Sequence, residues 1–240
     1  SGVDAVIIAA PASQHGHMAL EALEAGRHIL IEKPIADTIE TASKIVDEAE
    51  RRGLIVQVGH QERFVLKAIG LDRAGETPTA ITGHRRSPYS VRGTDVSVTL
   101  DLMTHDLDLV LWLMQTDPMR ISGESHCVRS ETPDTAHALL QFDGGEARLE
   151  ASRVAKDGSR TMELTYASGT VTIDFNAKTL VNTTHYELNA EFGEDPSARD
   201  SLGAATNAFV EAILDGKPVP ITGGNGLRAL NAALIVDRSE

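Results

Sequence analysis

Three ionisable side chains in the largely apolar stretch from Val98 to Met114 share a helical spacing: Asp101, His105 and Asp108. At about 100° per residue, positions i, i+4 and i+7 fall within one narrow stripe of a helix. A helix that is apolar on its other sides is buried, and ionisable groups there are costly unless paired or facing a cavity. An imidazole beside a carboxylate can accept a proton near neutral pH. The residues alone leave two readings open: a proton-transfer pair, or an Asp101–His105 ion pair tying a helix end with Asp108 as a structural group. Lys33 stands between a short apolar run and Pro34. A cation there can steady a developing oxyanion; an ordinary surface lysine is the alternative. Arg85, Arg86 and Arg92 form a basic group in an acidic chain. Arginine forks suit phosphate, and on that reading Arg86 and Arg92 meet an anionic substrate; a solvated loop is the alternative. No metal is expected: His15 and His17 are two apart on a helix and diverge, and a site of Asp101, His105 and His60 is the one conceivable set.

The elements that must position these groups begin almost at once. Val3 to Ala9 is β-branched and apolar on both faces, as a central parallel strand should be. A helix follows from Gln14 to Ala25, with Gly26 at its left-handed stop. His28–Ile31 is a second strand, closed by Glu32-Lys33-Pro34. Asp37, with Glu40 three residues on, starts a second helix that Gly53 ends. Leu54–Val58 is a third strand. This alternation predicts a parallel sheet with right-handed crossovers. A ligand then lies beyond the carboxyl ends of the strands, where Ala10 to His15, Glu32-Lys33-Pro34 and Gly59-His60-Gln61 should face one crevice. Gly224 to Ala229 fits G-x-G-x-x-A, but no further strand follows it, so it is read as a glycine-rich turn entering a last helix.

Further on, strands are predicted at 79–86, 119–129, 135–142, 146–154, 160–167 and 170–175. Turn signals at Asp143-Gly144-Gly145, Asp157-Gly158 and Ser168-Gly169 imply hairpins in series, an antiparallel meander. One face can pack on the Asp101–Met114 helix; the other lacks cover, which predicts a homo-oligomer. Residues 176–198 read as irregular, and helices at 202–214 and 227–236 close the chain.

The chain has 240 residues and a net charge of −13. That balance argues against general nucleic-acid binding. The composition is that of a folded soluble protein, no apolar run is long enough to span a bilayer, and a cytoplasmic location is expected. Cys127, the one cysteine, excludes an internal disulfide and is expected to be buried in a strand.

Several motifs in this order and spacing carry a resemblance: Ala9-Ala10-Pro11 with His15, Glu24-Ala25-Gly26-Arg27-His28, Glu32-Lys33-Pro34, Gly59-His60-Gln61-Glu62-Arg63-Phe64, Asp101 with His105, Ala208-Phe209, and Gly226-Leu227-Arg228-Ala229-Leu230. Over essentially the whole chain they resemble the glucose–fructose oxidoreductase/inositol dehydrogenase (Gfo/Idh/MocA) family. The resemblance implies an α/β protein: the C-terminal half of a Rossmann-type parallel sheet in residues 1–62, then an α/β substrate and oligomerisation domain with a large, mostly antiparallel sheet in residues 63–240. It implies an oxidoreductase that uses NAD or NADP to move a hydride to or from a hydroxyl-bearing carbon of a sugar, cyclitol or sugar nucleotide. In its terms His105 takes the hydroxyl proton, Asp101 orients and tunes His105, and Lys33 positions and polarises the alcohol oxygen. Ala10, Pro11, Ser13, His15, Glu32, Lys33 and Gln61 become cofactor contacts, with plain capping roles as the alternative for His15 and Gln61. Arg86-Ser87-Pro88-Tyr89 through His105 resembles family members acting on a sugar nucleotide. Two other functions stay open: an NAD-dependent glycoside hydrolase-like enzyme, and a non-catalytic binding or oligomerisation module. The family's glycine-rich run before the aspartate is replaced here by Asp95–Leu100. Against the family template the chain lacks the first strand and glycine loop, so as it stands it is expected to bind a dinucleotide poorly.

Overall fold

The computed structural model describes residues 2–238. Three short strands, β1 (Ala5–Ile8), β2 (His28–Ile31) and β3 (Val56–Val58), form a parallel sheet in sequence order. Val6 lies opposite Ile29, and Ile29 opposite Val56. The flanking strands are shorter than their apolar runs, while β2 matches its expected span. Helices α1 (Ala12–Glu24) and α2 (Ile39–Arg52) make the crossovers. Gly26 and Gly53 take φ of 72° and 65° at the two helix ends, a conformation that is easy only without a Cβ. The cap of α2 is Thr38, not Asp37. Its side-chain oxygen accepts the Thr41 N–H at 3.2 Å, so the turn begins one residue later than the acidic spacing suggested.

After β3 the chain enters α3 (Glu62–Ile69) and then β4 (Ala80–Arg86). Residues 99–103 wind as a π-helical turn, in which the Thr104 N–H bonds back to the Thr99 carbonyl, and only then continue as α4 (Thr104–Met114). The apolar stretch is therefore not one regular helix. Strands β5 (Arg120–His126), β6 (Thr135–Phe142), β7 (Gly145–Ser152), β8 (Ser159–Tyr166), β9 (Gly169–Asp174) and β10 (Thr179–Asn182) complete a second sheet. Its order is β10-β9-β8-β4-β7-β6-β5.

That order corrects the meander. Strand β4 inserts between β7 and β8, parallel to the first and antiparallel to the second. Asp143-Gly144 and the Tyr166–Gly169 turn do close hairpins. Asp157-Gly158 does not, because its flanking strands are separated by β4. A turn signal specifies a change of direction but not which strand fills the neighbouring position. Strand β10 and a short helix α5 (Pro196–Arg199) lie within the segment read as irregular. Cys127 follows β5 on an exposed loop rather than within a buried strand.

Helices α6 (Ser201–Asp215) and α7 (Gly223–Arg238) close the chain near their expected positions. Two hydrophobic cores result, one under each sheet, and α7 joins them. Its Leu230 is buried in the core of the parallel sheet, while Ala232, Ala233 and Val236 belong to the larger one. The glycine-rich entry to α7 is thus a packing device. A Cβ on Gly226 would come within 2.6 Å of the Val58 side chain in β3. Among the described residues no helix is long and apolar enough to cross a membrane.

Because Val58 is fully buried, it has little room to move aside. Gly226→Ala should therefore destabilise the fold by about 1–3 kcal/mol, read as a lowered midpoint in denaturant unfolding. An unchanged midpoint would show that α7 does not press on β3.

Candidate active site

The carboxyl ends of β1 and β2 open onto a cleft of about 830 Å3, whose other wall is the loop from Ser90 to Val96 with Leu100 and Asp101. Ala10, Pro11, His15, Glu32, Lys33, Arg92 and Asp101 all line it. Lys33 projects from the end of β2 because the parallel sheet brings that end to the edge of its core. Its Nζ donates to the backbone carbonyl of Asp101 and lies 3.3 Å from the Asp101 carboxylate. A group from the first sheet thus meets the π turn of the second core across the cleft. Lys33 is also within electrostatic reach of His105.

The other sequence candidates are placed differently. His15 is buried, with Nδ1 2.7 Å from the Pro34 carbonyl and Nε2 2.8 Å from the Ala10 carbonyl. It braces the ends of β1 and β2 and does not simply cap α1. Ser13 is exposed on the first turn of α1 and is not among the cleft's lining residues. Gln61 faces a separate cavity of about 160 Å3 beside Arg160 and Lys178. Arg86 is not on the cleft: strand alternation turns it to the open face of the large sheet, where it forks onto Glu150 at 2.8 and 2.6 Å. The three arginines read as one cluster therefore separate, with Arg85 inward, Arg86 outward and Arg92 at the cleft. Among the described residues no group of three or more histidine, cysteine or acidic side chains is arranged to hold a metal ion.

Behind the cleft lies a buried charge network that the sequence reading did not assemble. Arg63 makes a bidentate pair with Asp108 at 2.7 and 2.6 Å, so the third member of the polar stripe is structural. Arg85 grips Asp106 at 2.8 and 2.9 Å, and its other edge reaches Glu62 at 2.7 and 3.2 Å. Arg160 also pairs with Glu62 and stacks over Phe175, 4.3 Å from its ring centre. His105 sits among these groups, its Nδ1 3.5 Å from Glu62 and its ring edge-on to His60. Asp101 is engaged by Lys33, and among the described residues no hydrogen bond or ion pair joins it to His105. The π turn inserts an extra residue between helical contacts, and the two side chains serve different partners.

Burial sets the ionisation of this region. It pushes the His105 imidazole well below its ordinary 6.5, with Glu62 acting in the opposite direction. His60 is lowered for the same reason. Burial also works against the charge on Glu62, but Arg85, His105 and Arg160 outweigh it and hold that carboxyl well below the usual range. Glu32 is raised by burial, partly opposed by Lys33. A neutral imidazole held among fixed charges is ready to accept a proton rather than already carrying one.

The far wall of the cleft is secured by Arg153. It bonds the Gly93 and Val96 carbonyls at 2.7 and 2.9 Å and pairs with Asp134 at 2.8 Å. Asp134 in turn accepts three backbone N–H groups from Val128, Arg129 and Ser130. This brace holds a wall that lacks the glycine run expected before Asp101.

Residues 1–60 match the family model described as an oxidoreductase family with an NAD-binding Rossmann fold, and residues 75–172 match the GFO/IDH/MocA C-terminal domain. The chain is 34% identical to UDP-N-acetylglucosamine 3-dehydrogenase of Acidithiobacillus ferrooxidans, over 98% of its own length and 78% of the relative. A crystal form of that protein superposes with a TM-score of 0.88, at 35% identity, covering 98% of this chain and 77% of the other. It is also 30% identical to scyllo-inositol 2-dehydrogenase (NAD(+)) of Bacillus subtilis, over 65% of this chain and 51% of that protein.

The lowered histidines give stability a pH dependence of definite sign. Unfolded histidines protonate near 6.5, whereas folded His60 and His105 resist protonation to lower pH. The unfolded chain then binds more protons, so unfolding free energy falls as pH drops below about 6.5. Denaturant midpoints between about pH 7.5 and 5.5 should decline, and a His60→Asn, His105→Asn double variant should flatten that decline. An equally steep decline in the double variant would assign the effect to other groups.

Proposed function

The chain belongs to the GFO/IDH/MocA oxidoreductase family, and from that membership we propose that it oxidises or reduces a hydroxyl-bearing carbon of a sugar nucleotide or cyclitol at the cleft where Lys33 meets Asp101. The observation that carries the reading is that contact: an ammonium from the carboxyl end of β2 and the π turn leading to His105 come together at one cleft. The likeness to a UDP-sugar dehydrogenase favours a sugar nucleotide over a free cyclitol. Residues 1–62 act as the cofactor lobe and residues 63–240 as the substrate lobe.

The cleft's residues suit a nicotinamide cofactor, NAD or NADP. The turn from Ala9 to Ala12 leads straight into the N-terminus of α1, and the wall formed by the ends of β1 and β2 is small apart from Glu32, Lys33 and His15. Ala10, Pro11, Glu32 and Lys33 would hold the nicotinamide half, which supplies a hydride acceptor when bound. Lys33 fixes the alcohol oxygen and offsets negative charge as its O–H bond weakens. His105 accepts that proton, so that the C–H bond can release its electron pair and a carbonyl remains. Arg92, on the opposite wall, is positioned for an anionic portion of the substrate.

Two finer expectations accompany this reading. The open face of the seven-stranded sheet, with Thr82, His84, Arg86, Arg148 and Glu150 in its middle, is the contact for a second copy. The lone cysteine fits a reducing cytoplasmic setting. Sedimentation that finds only monomer at micromolar concentration would remove the first.

Turnover is tested with UDP-N-acetylglucosamine and with inositol as substrates, following reduced nicotinamide. His105→Ala should lower kcat by roughly 100-fold or more while cofactor affinity is kept. Lys33→Met should lower kcat comparably. Unchanged turnover in His105→Ala would remove His105 from its role.

A further inference from the structure

His105 carries a ring nitrogen with no settled partner. Nδ1 is buried and makes no hydrogen bond, a state that buried polar atoms rarely keep without reason. The carboxylate beside it belongs to Glu62, at 3.5 Å. On the reading of His105 as the proton acceptor, we propose that Glu62, not Asp101, is the carboxylate that positions its ring, accepting the Nδ1 hydrogen and leaving the Nε2 lone pair for the substrate hydroxyl.

Glu62 is fixed for this task from several sides. It opens α3 with its side chain turned inward, beside the buried Arg63. Arg85 contacts both its oxygens and is itself held by Asp106. Arg160 closes on the same carboxylate from the start of β8. The carboxylate therefore cannot rotate away without breaking one of the two forks of the buried Arg85 and leaving Arg160 without its carboxylate, which is costly. Asp101 does not take its place: its carboxylate lies 3.3 Å from the Lys33 ammonium, and among the described residues no hydrogen bond or ion pair joins it to His105.

The charge state of Glu62 dictates the tautomer of His105. An ionised carboxylate only accepts hydrogen bonds. With Arg85 and Arg160 beside it, Glu62 stays ionised throughout the range in which His105 could act. The Nδ1 facing it must then carry the hydrogen, and Nε2 is left as the base. The charged or titratable groups acting on the ring are Glu62 from α3, Arg85 from β4, Lys33 from the end of β2 and His60 after β3. Only Glu62 among them favours the imidazolium. When the hydroxyl proton arrives at Nε2, the new charge sits against Glu62, which offsets the cost that burial imposes. A separation of 3.5 Å is long for a hydrogen bond, but catalytic hydrogen bonds commonly tighten when substrate binds.

Two measurements test this. The first is the tautomer of His105 in the ligand-free protein, read from long-range proton–nitrogen spectra of the 15N-histidine-labelled chain and assigned by the signals lost in His105→Asn. The Nδ1–H form is expected in the wild type and in Asp101→Asn. An Nε2–H ring in the wild type, or a switch of tautomer in Asp101→Asn, overturns the proposal. The second is Glu62→Gln, which keeps the side chain's size and removes its charge. The acidic limb of kcat/KM should move to lower pH, because the imidazolium loses its partner, and kcat should fall on the order of tenfold or more, with KM for the cofactor little changed. A limb that stays in place overturns the proposal. If Glu62→Gln does not fold, the tautomer still decides the question. Failure of the dehydrogenase reading registers elsewhere, as full turnover in His105→Ala, whatever form the ring takes.

Discussion

The structure around the cleft depends on one constraint: ionised groups taken out of water must balance one another within hydrogen-bonding distance. Glu62 and Asp106 face Arg85 and Arg160, and Asp108 faces Arg63. Each set is neutral. An isolated buried charge would instead cost several kcal/mol. A balanced network of forked contacts contributes little to stability compared with packed hydrocarbon. It does fix the side chains in direction, since every guanidinium has a limited choice of planar partners. The imidazole of His105 lies 3.5 Å from Glu62, a carboxylate already matched by Arg85 and Arg160, so its ionisation can change while theirs do not.

The same network lies where the two cores meet. Lys33 comes from the edge of the small parallel sheet, Glu62 and Arg63 from the helix that leaves it, and Arg85, Asp106 and Arg160 from the larger core. Leu100 packs against both cores, and α7 contributes buried residues to each. A hydrophobic seam alone tolerates sliding, because dispersion contacts have little directional preference. The ion pair between Lys33, at the edge of the small sheet, and Asp101, in the π turn of the larger core, opposes such sliding. The distance between the Lys33 ammonium and the His105 ring is thereby set by the fold rather than by the ligand.

Periodicity made the alternating strands and helices of residues 3–58 legible, because each element there packs against its sequence neighbour. It located most strands of the second sheet as well. It could not reveal that β4 separates β7 from β8, since strand spacing along the chain carries no information about insertion of an earlier strand. It also misjudged Cys127 by extending β5 past His126. Lys33, Asp101 and His105 were legible as chemistry-bearing residues. Arg85 and Arg86 were not separable until strand alternation sent one inward and the other out. Glu62 was passed over as part of a loop motif, although a signal was present: Glu62, Leu66 and Ile69 recur at i, i+4 and i+7, and all are buried in α3. A carboxylate on the apolar stripe of a helix needs a buried cation, and Arg85 could have been sought as that partner.

The two carboxylates near the site have different surroundings, and this separates what they can do. Asp101 lies at the cleft with partial exposure and touches Lys33 through both its carboxylate and its carbonyl. It can hold the ammonium in place, and water or substrate can compete for it. Glu62 is almost fully enclosed and meets two arginines, so neither water nor substrate can displace it. A group that must yield to an incoming ligand belongs in the first setting. A group that must keep one ring orientation through a proton transfer belongs in the second. The π turn permits this separation: by inserting a residue ahead of α4, it turns the carboxylate of Asp101 toward Lys33 while His105, four positions on, faces the arginine-bound Glu62.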